Sequence, residues 1–197
     1  ILGDAFANQL EVFAAAGAAP KTVVFMHVND TFGVAMQKGF TGVMQKFPAI
    51  PYKVADTIAY DPAARDLSVE VAKAKATGAE ALLMVSRLND AILITRELIK
   101  QRWSPQAVLS MGPGWYEDQY LKTLAKLSDG PVSFVPWYDP NKPLSKKLEA
   151  ALAKAHPGIN LNTNHVYTFE ALLVASEAFK RAGSASPTAL ADAIRKT

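Results

Sequence analysis

Short apolar runs alternate with amphipathic stretches along the first two thirds of the chain. Val23–Val28 is rich in β-branched residues and too short for a buried helix, so it predicts a strand covered on both faces. Asn29-Asp30-Thr31 follow as turn and N-cap residues. From Phe32 the apolar positions Val34, Met36, Phe40, Val43, Met44 and Phe47 then recur near helical spacing. The same alternation continues. Strands are predicted at Tyr52–Ile58, Ala81–Val85, Ala107–Met111 and Pro131–Val135. The helices between them lead from Asp66 or Ser68 to Thr77, from Asn89 to Gln101 and from Trp115 to Leu127. A further helix, Asp4–Ala16, stops at Gly17. Strands separated by helical segments of this length predict right-handed βαβ units, a doubly wound α/β fold with a parallel sheet.

After Val135 the pattern changes. Trp137-Tyr138-Asp139-Pro140-Asn141-Lys142-Pro143 is a stiff polar connector, and beyond it only helices are expected, at Leu144–Ala155, Asn164–Ala182 and Pro187–Lys196. The last has Ser186 as N-cap and Pro187 at its first helical position.

Composition narrows the chemistry. Half of the 197 residues are apolar and the net charge is only +3, with lysines scattered along helices, which gives no basic patch for nucleic acid. The absence of cysteine removes disulfides, thiolate metal sites and cysteine nucleophiles. His27, His156 and His165 lie far apart without metal-ligand spacing, so no metal or other cofactor is expected. Neither a nucleophile elbow nor a phosphate loop is present. Gly112-Pro113-Gly114 stands where a dinucleotide loop would, yet Glu117 occupies the place of its third glycine, so it reads as a tight turn before a helix. Glu117-Asp118 reads as a solvated helix start. No apolar run is long enough to span a bilayer. The chain starts at Ile1 and begins and ends inside expected helices, which reads as a processed or truncated piece of a longer protein.

In a parallel sheet the loops after the strands meet along one edge, where ligands bind in open α/β folds. That edge would gather Asn29, Asp30, Thr31 and Phe32; Tyr60, Asp61 and Arg65; Ser86, Arg87, Leu88 and Asn89; Gly112, Gly114, Trp115 and Tyr116; and Trp137 and Tyr138. Aromatics, hydroxyl and amide donors and an arginine on one rim suit a small-molecule site. Each also has a plainer reading. Phe32 would staple its helix to the sheet, Arg87 would be solvated or ion-paired, Trp115 and Tyr116 would cap the core, and Ser86 would be an N-cap.

Three segments carry a family resemblance: VVFMHVNDTFG, TGAEALLMVSRLNDAILITRELIKQRWSPQAVLSMGPG and VYTFEALLVASEAFKRAGSASPTALADAIRK. With them the chain resembles the type I periplasmic substrate-binding proteins of ABC transporters, in the branched-chain amino acid receptor family, over nearly its whole length. The resemblance implies a non-enzymatic protein of two α/β lobes with its ligand trapped between them. Residues 1–137 would be most of the second lobe, 138–143 a hinge connector and 144–197 helices of the first lobe, whose sheet and the final strands would lie outside this chain. It also implies a signal peptide in the precursor, a periplasmic or membrane-tethered extracellular location, and a membrane permease as partner.

By this resemblance the ligand contacts would fall on Phe32, on Ser86, Arg87 and Leu88, and on the loop Gly112, Gly114 and Trp115, with Tyr116 beside them on the same rim. Amino-acid receptors of the family carry a glutamate in this last loop. Here the stretch is Gly-Pro-Gly-Trp, with no acid before Glu117. The expected cargo is therefore a small organic acid, aromatic or aliphatic, with a branched-chain amino acid or amide as the alternative. An α/β enzyme or the ligand-sensing domain of a receptor stands as the rival class.

Overall fold

The computed structural model describes residues 12–46 and 53–196. The chain divides into two units, Ile1–Val135 and Pro136–Thr197. The first is a five-stranded sheet in the order β2-β1-β3-β4-β5, with every pairing parallel. Its strands are β1 (Thr22–Val28), β2 (Lys53–Tyr60), β3 (Ala81–Val85), β4 (Ala107–Ser110) and β5 (Val132–Ser133). The helices are α1 (Thr31–Lys46), α2 (Ser68–Ala76), α3 (Leu88–Lys100) and α4 (Asp118–Leu124).

The continuous apolar runs of β1 and β3 are buried on both faces, and strand alternation sorts them into two cores. Val24, Met26 and Val28 of β1 join Leu82 and Met84 of β3 in a core closed by Val71 and Ala74 of α2, Ile94 and Leu98 of α3, and Tyr120 and Leu124 of α4. Val23 and Phe25 join Ala81, Leu83 and Val85 in a second core, closed by Phe40, Met36, Val43 and Met44 of α1. Each buried Val, Leu, Ile, Phe or Met side chain among them contributes about 1.5–3 kcal/mol. The two central strands thus fix the sheet, and their C-terminal ends become rigid supports for loops. Gly33 lets α1 start flush against β1: a Cβ there would stand 2.9 Å from Val28 Cγ1 and closer still to the Val28 carbonyl oxygen.

Four expectations are corrected. β2 runs on through Ala59 and Tyr60, read above as loop, because the buried Tyr60 ring packs in the first core and its backbone carbonyl accepts from Asn29 N–H at 2.7 Å. Its expected first residue, Tyr52, lies outside the described residues. β5 is shorter than predicted. Pro131 and Pro136 bracket it without N–H groups, and only Val132 and Ser133 pair with β4. The helix expected over Trp115–Leu127 is three pieces: a 3₁₀ turn at Pro113–Trp115, α4, and a 3₁₀ turn at Ala125–Ser128 entered by Ala125 at φ 48°. The first turn tightens to bring Trp115 inward, where its ring meets Tyr120 at 5.3 Å. Finally, the N-cap of α2 is Leu67, although Asp66 still accepts from Ser68 N–H at 2.7 Å. Of the helix expected at Asp4–Ala16, residues before Val12 lie outside the described residues, as does Phe47 at the end of α1.

The second unit holds α5 (Pro143–Ala155), α6 (Thr163–Ala182) and α7 (Pro187–Arg195). α6 starts with a reciprocal cap: Asn162 Oδ1 accepts from His165 N–H at 3.2 Å, and His165 Nδ1 accepts from Asn162 N–H at 3.2 Å. It ends at Gly183, left-handed at φ 58°, whose N–H reaches Phe179 O. Leu172, Leu173, Val174 and Phe179 of α6 are exposed. No helix among the described residues is long and apolar enough to cross a membrane.

Candidate functional site

The strand order reverses direction between β1 and β3, since the chain goes from β1 outward to β2 and returns to β3 on the other side. A crevice at the C-terminal end of such a switch point is where open α/β sheets hold ligands. Two loops meet there. The β1 loop carries Asp30 and Phe32, and the β3 loop carries Arg87 and Leu88. Arg87 Nη1 lies 2.5 Å from Asp30 Oδ2, and its guanidinium carbon sits 5.3 Å from the Phe32 ring centroid. The pair spans the crevice. With side chains 48% and 26% exposed, it contributes about 0–1 kcal/mol to stability, so its main effect is to orient the guanidinium.

A network beneath holds that geometry. Asp30 Oδ1 accepts from Gly33 N–H at 2.8 Å, capping α1. This bond first, and then the Arg87 guanidinium, hold the Asp30 carboxyl below the usual carboxylate range. Asp90 Oδ2 accepts from Arg87 N–H at 3.0 Å and from the Tyr60 hydroxyl at 3.2 Å, and the Tyr60 hydroxyl also lies 3.2 Å from Val85 O. Burial, and then the Asp90 carboxylate, push the Tyr60 phenol well above its ordinary range, so it stays protonated and donates.

Not every predicted residue faces outward. Phe32 is half-buried and packs on both cores, so it staples its helix and also presents its ring to Arg87. Leu88 is half-buried at the start of α3. Ser86 is fully buried. It is not a cap; its hydroxyl accepts from Trp115 Nε1 at 2.5 Å, and Trp115 is only 4% exposed. Within this unit Ser86 and Trp115 are therefore supports of the site, because the indole needs a buried acceptor and finds it in the neighbouring loop. Gly112 and Gly114 serve the same contact. A Cβ at Gly112 would stand 2.7 Å from Ser86 N, and one at Gly114 2.8 Å from Leu88 N and closer still to the Arg87 carbonyl. Tyr116 is half-buried. Trp137 and Tyr138 belong to the second unit, where their rings stack at 4.9 Å.

Arg87 and Leu88 open onto a concavity of about 580 Å³, also lined by Arg65, Asn89, Asp90, Pro113 and Glu117. Glu117, read above as a solvated helix start, is half-buried, and burial raises its carboxyl above the usual range. The signals for Asp30 and Asp90 were present in the sequence, as N-cap spacing to Gly33 and as the third residue after Arg87. Glu117 had none, because the 3₁₀ turn that aims it is not visible in a hydrophobic pattern. Among the described residues no group of three or more His, Asp or Glu could hold a metal ion. The arrangement can bind an anion through the guanidinium, and it offers an apolar wall and an acid nearby. It has no nucleophile–base pair.

A model of the family described as periplasmic binding protein matches residues 2–197. The chain belongs to the periplasmic binding protein family. Its parallel five-stranded sheet is one lobe of that fold, and the family is one of binding proteins rather than enzymes. A leucine-binding protein from Thermotoga maritima MSB8 has TM-score 0.80 and 21% identity over 99% of this chain and 53% of its own. A fatty acid ABC transporter substrate-binding protein from Thermomonospora curvata has TM-score 0.79 and 18% identity over 100% of this chain and 51% of its own. An ABC transporter solute-binding protein from R. palustris, solved with 4-hydroxybenzoate, has TM-score 0.69 and 15% identity over 95% of this chain and 51% of its own. The chain spans about half the length of these solved relatives. A search of curated proteins returns no match.

Proposed function

We propose that the whole protein is the extracytoplasmic solute-binding component of an ABC importer and captures a small organic acid, aromatic or aliphatic, between two lobes. Residues 1–137 are most of the second lobe, 138–143 the connector and 144–197 helices of the first lobe. Closure of the lobes on the ligand presents it to a membrane permease. The location is periplasmic, or extracellular with a membrane tether, and the precursor carries a signal peptide.

The observation that carries the cargo class is Arg87, held across the β1/β3 crevice by Asp30 and over the Phe32 ring, at the mouth of the concavity. One guanidinium nitrogen is engaged by Asp30, which leaves other N–H donors for a carboxylate. Leucine, fatty acids and 4-hydroxybenzoate, named with the relatives above, all carry a carboxylate. Phe32 and Leu88 supply the apolar wall. Pro113 extends it and Asn89 adds a polar amide, while Ser86, Trp115, Gly112 and Gly114 fix the loops from behind.

A second reading is a branched-chain amino acid or amide. The Glu117 carboxylate on the same concavity supports it, since it would meet an ammonium. Calorimetry on the full-length protein with benzoates, phenylpropanoids, keto acids and fatty acids, against leucine and valine, separates the two. Organic acids should bind, and Arg87→Gln should weaken them by about 10–100-fold, the weight of a hydrogen bond to a charged group. Strong binding of leucine or valine with none of the organic acids would reject the first reading. Unchanged affinity in Arg87→Gln would reject the site.

A further inference from the structure

We infer that Glu117 limits the charge of the cargo, so that the concavity accepts a ligand with one anionic group and rejects a second. The inference rests on the reading that Arg87 receives a carboxylate, and it holds whether or not that ligand also carries an amino group. The charges come from separate elements on one edge. Arg65 stands on the loop after β2, Arg87 and Asp90 on the loop and first turn after β3, and Glu117 on the loop after β4. Arg87 is already matched by Asp30. Asp90 faces inward, accepting from the Tyr60 hydroxyl and the Arg87 amide. Two guanidiniums therefore meet three carboxylates before any ligand arrives.

Among the described residues the Glu117 carboxyl has neither a hydrogen bond nor an ion pair, and burial is the cause of its raised titration. An unpaired, half-buried carboxylate is costly to keep beside a site, and it repels any second anion more strongly than a solvated one would. Like charges placed together are a direct way to refuse a wrong ligand while leaving the right one bound. Arg65 is exposed, so solvent and salt weaken its power to offset Glu117.

The test uses the full-length protein and calorimetry at neutral pH with matched pairs: 4-hydroxybenzoate against 4-sulfobenzoate, and hexanoate against adipate. The wild type should prefer the monoanion by about tenfold or more, and Glu117→Gln should shrink that preference about tenfold. Glu117 makes no side-chain cap to α4, so Glu117→Gln removes no helix-capping bond, and melting by circular dichroism checks that the variant is folded. Glu117→Ala provides a second variant with the same expected direction. Equal binding of both members of a pair by the wild type, or an unchanged preference in both variants, overturns this inference alone. Failure of every monoanion to bind overturns the carboxylate reading and this inference with it.

Discussion

Gly114→Ala tests whether backbone contact between two loops positions Arg87. The added methyl would place a carbon 2.8 Å from Leu88 N and closer than that to the Arg87 carbonyl carbon and oxygen. Carbon prefers neighbours at about 3.5–4.0 Å, so the β3 and β4 loops must part by roughly 1 Å. All three obstructing atoms are backbone at the entry to α3, and no side chain can rotate out of the way. Overpacking of this kind costs about 1–3 kcal/mol. At about 2–4 °C per kcal/mol for 150–250 residues, and less for the longer full-length protein, the melting temperature should fall by about 1–6 °C. Arg87 moves with its backbone, so affinity for a carboxylate should fall too.

Gly39→Ala is the matched control, since Gly39 lies inside α1 with no atom within 4 Å of its would-be Cβ. It should stabilise by about 0.5–1 kcal/mol by favouring helix. Thermal unfolding of the full-length protein followed by circular dichroism, together with calorimetry, reads both. If Gly114→Ala melts with the wild type and binds as well, the loops are not locked by their main chains and the account of Arg87 is wrong.

Two further outcomes follow from the bonds around the crevice. Ser86→Ala leaves the buried Trp115 N–H without an acceptor and should cost about 1–3 kcal/mol; in a cycle with Trp115→Phe the two losses should be less than additive by about 1 kcal/mol, and full additivity would show that the bond is not formed. Asp30 titrates below its unfolded value, so it contributes stability above the ordinary carboxylate range that is lost as pH falls through the lowered folded value; Asp30→Asn should flatten the acid limb of a stability–pH profile, and an unaltered limb would refute the Gly33 and Arg87 contacts.

The strands that sequence pattern located best are those buried on both faces. β3 is an uninterrupted apolar run and the run Val23–Val28 of β1 is broken only by His27, and nothing else they could form fits their length. Tyr60 escaped because it precedes Asp61-Pro62, a turn signal, while the partners of its hydroxyl, Val85 O and Asp90, are distant in sequence. The site divides the same way. That Phe32, Arg87 and Leu88 stand on one edge follows from parallel topology alone. Which way a loop side chain points does not, because it depends on contacts between loops. Hence the sequence places Ser86 and Trp115 on the edge but does not show that the Trp115 indole N–H donates to the Ser86 hydroxyl. Glu117 was read as solvent-facing because an adjacent acid, Asp118, and a helix start explain it locally. Its place on the concavity comes from the turn at Pro113–Trp115.

The Asp30–Arg87 pair also bears on how such a site could change its cargo over time. Its two members lie on loops of separate βα units, and neither belongs to the buried part of the sheet. Replacing the Arg87 guanidinium by a neutral group would leave Asp30, Asp90 and Glu117 facing Arg65 alone. The crevice would then turn from receptive to anions to receptive to cations in one step, with both cores untouched. A scaffold arranged this way is one substitution from an inverted polarity, so its ligand class can diverge while its architecture stays constant.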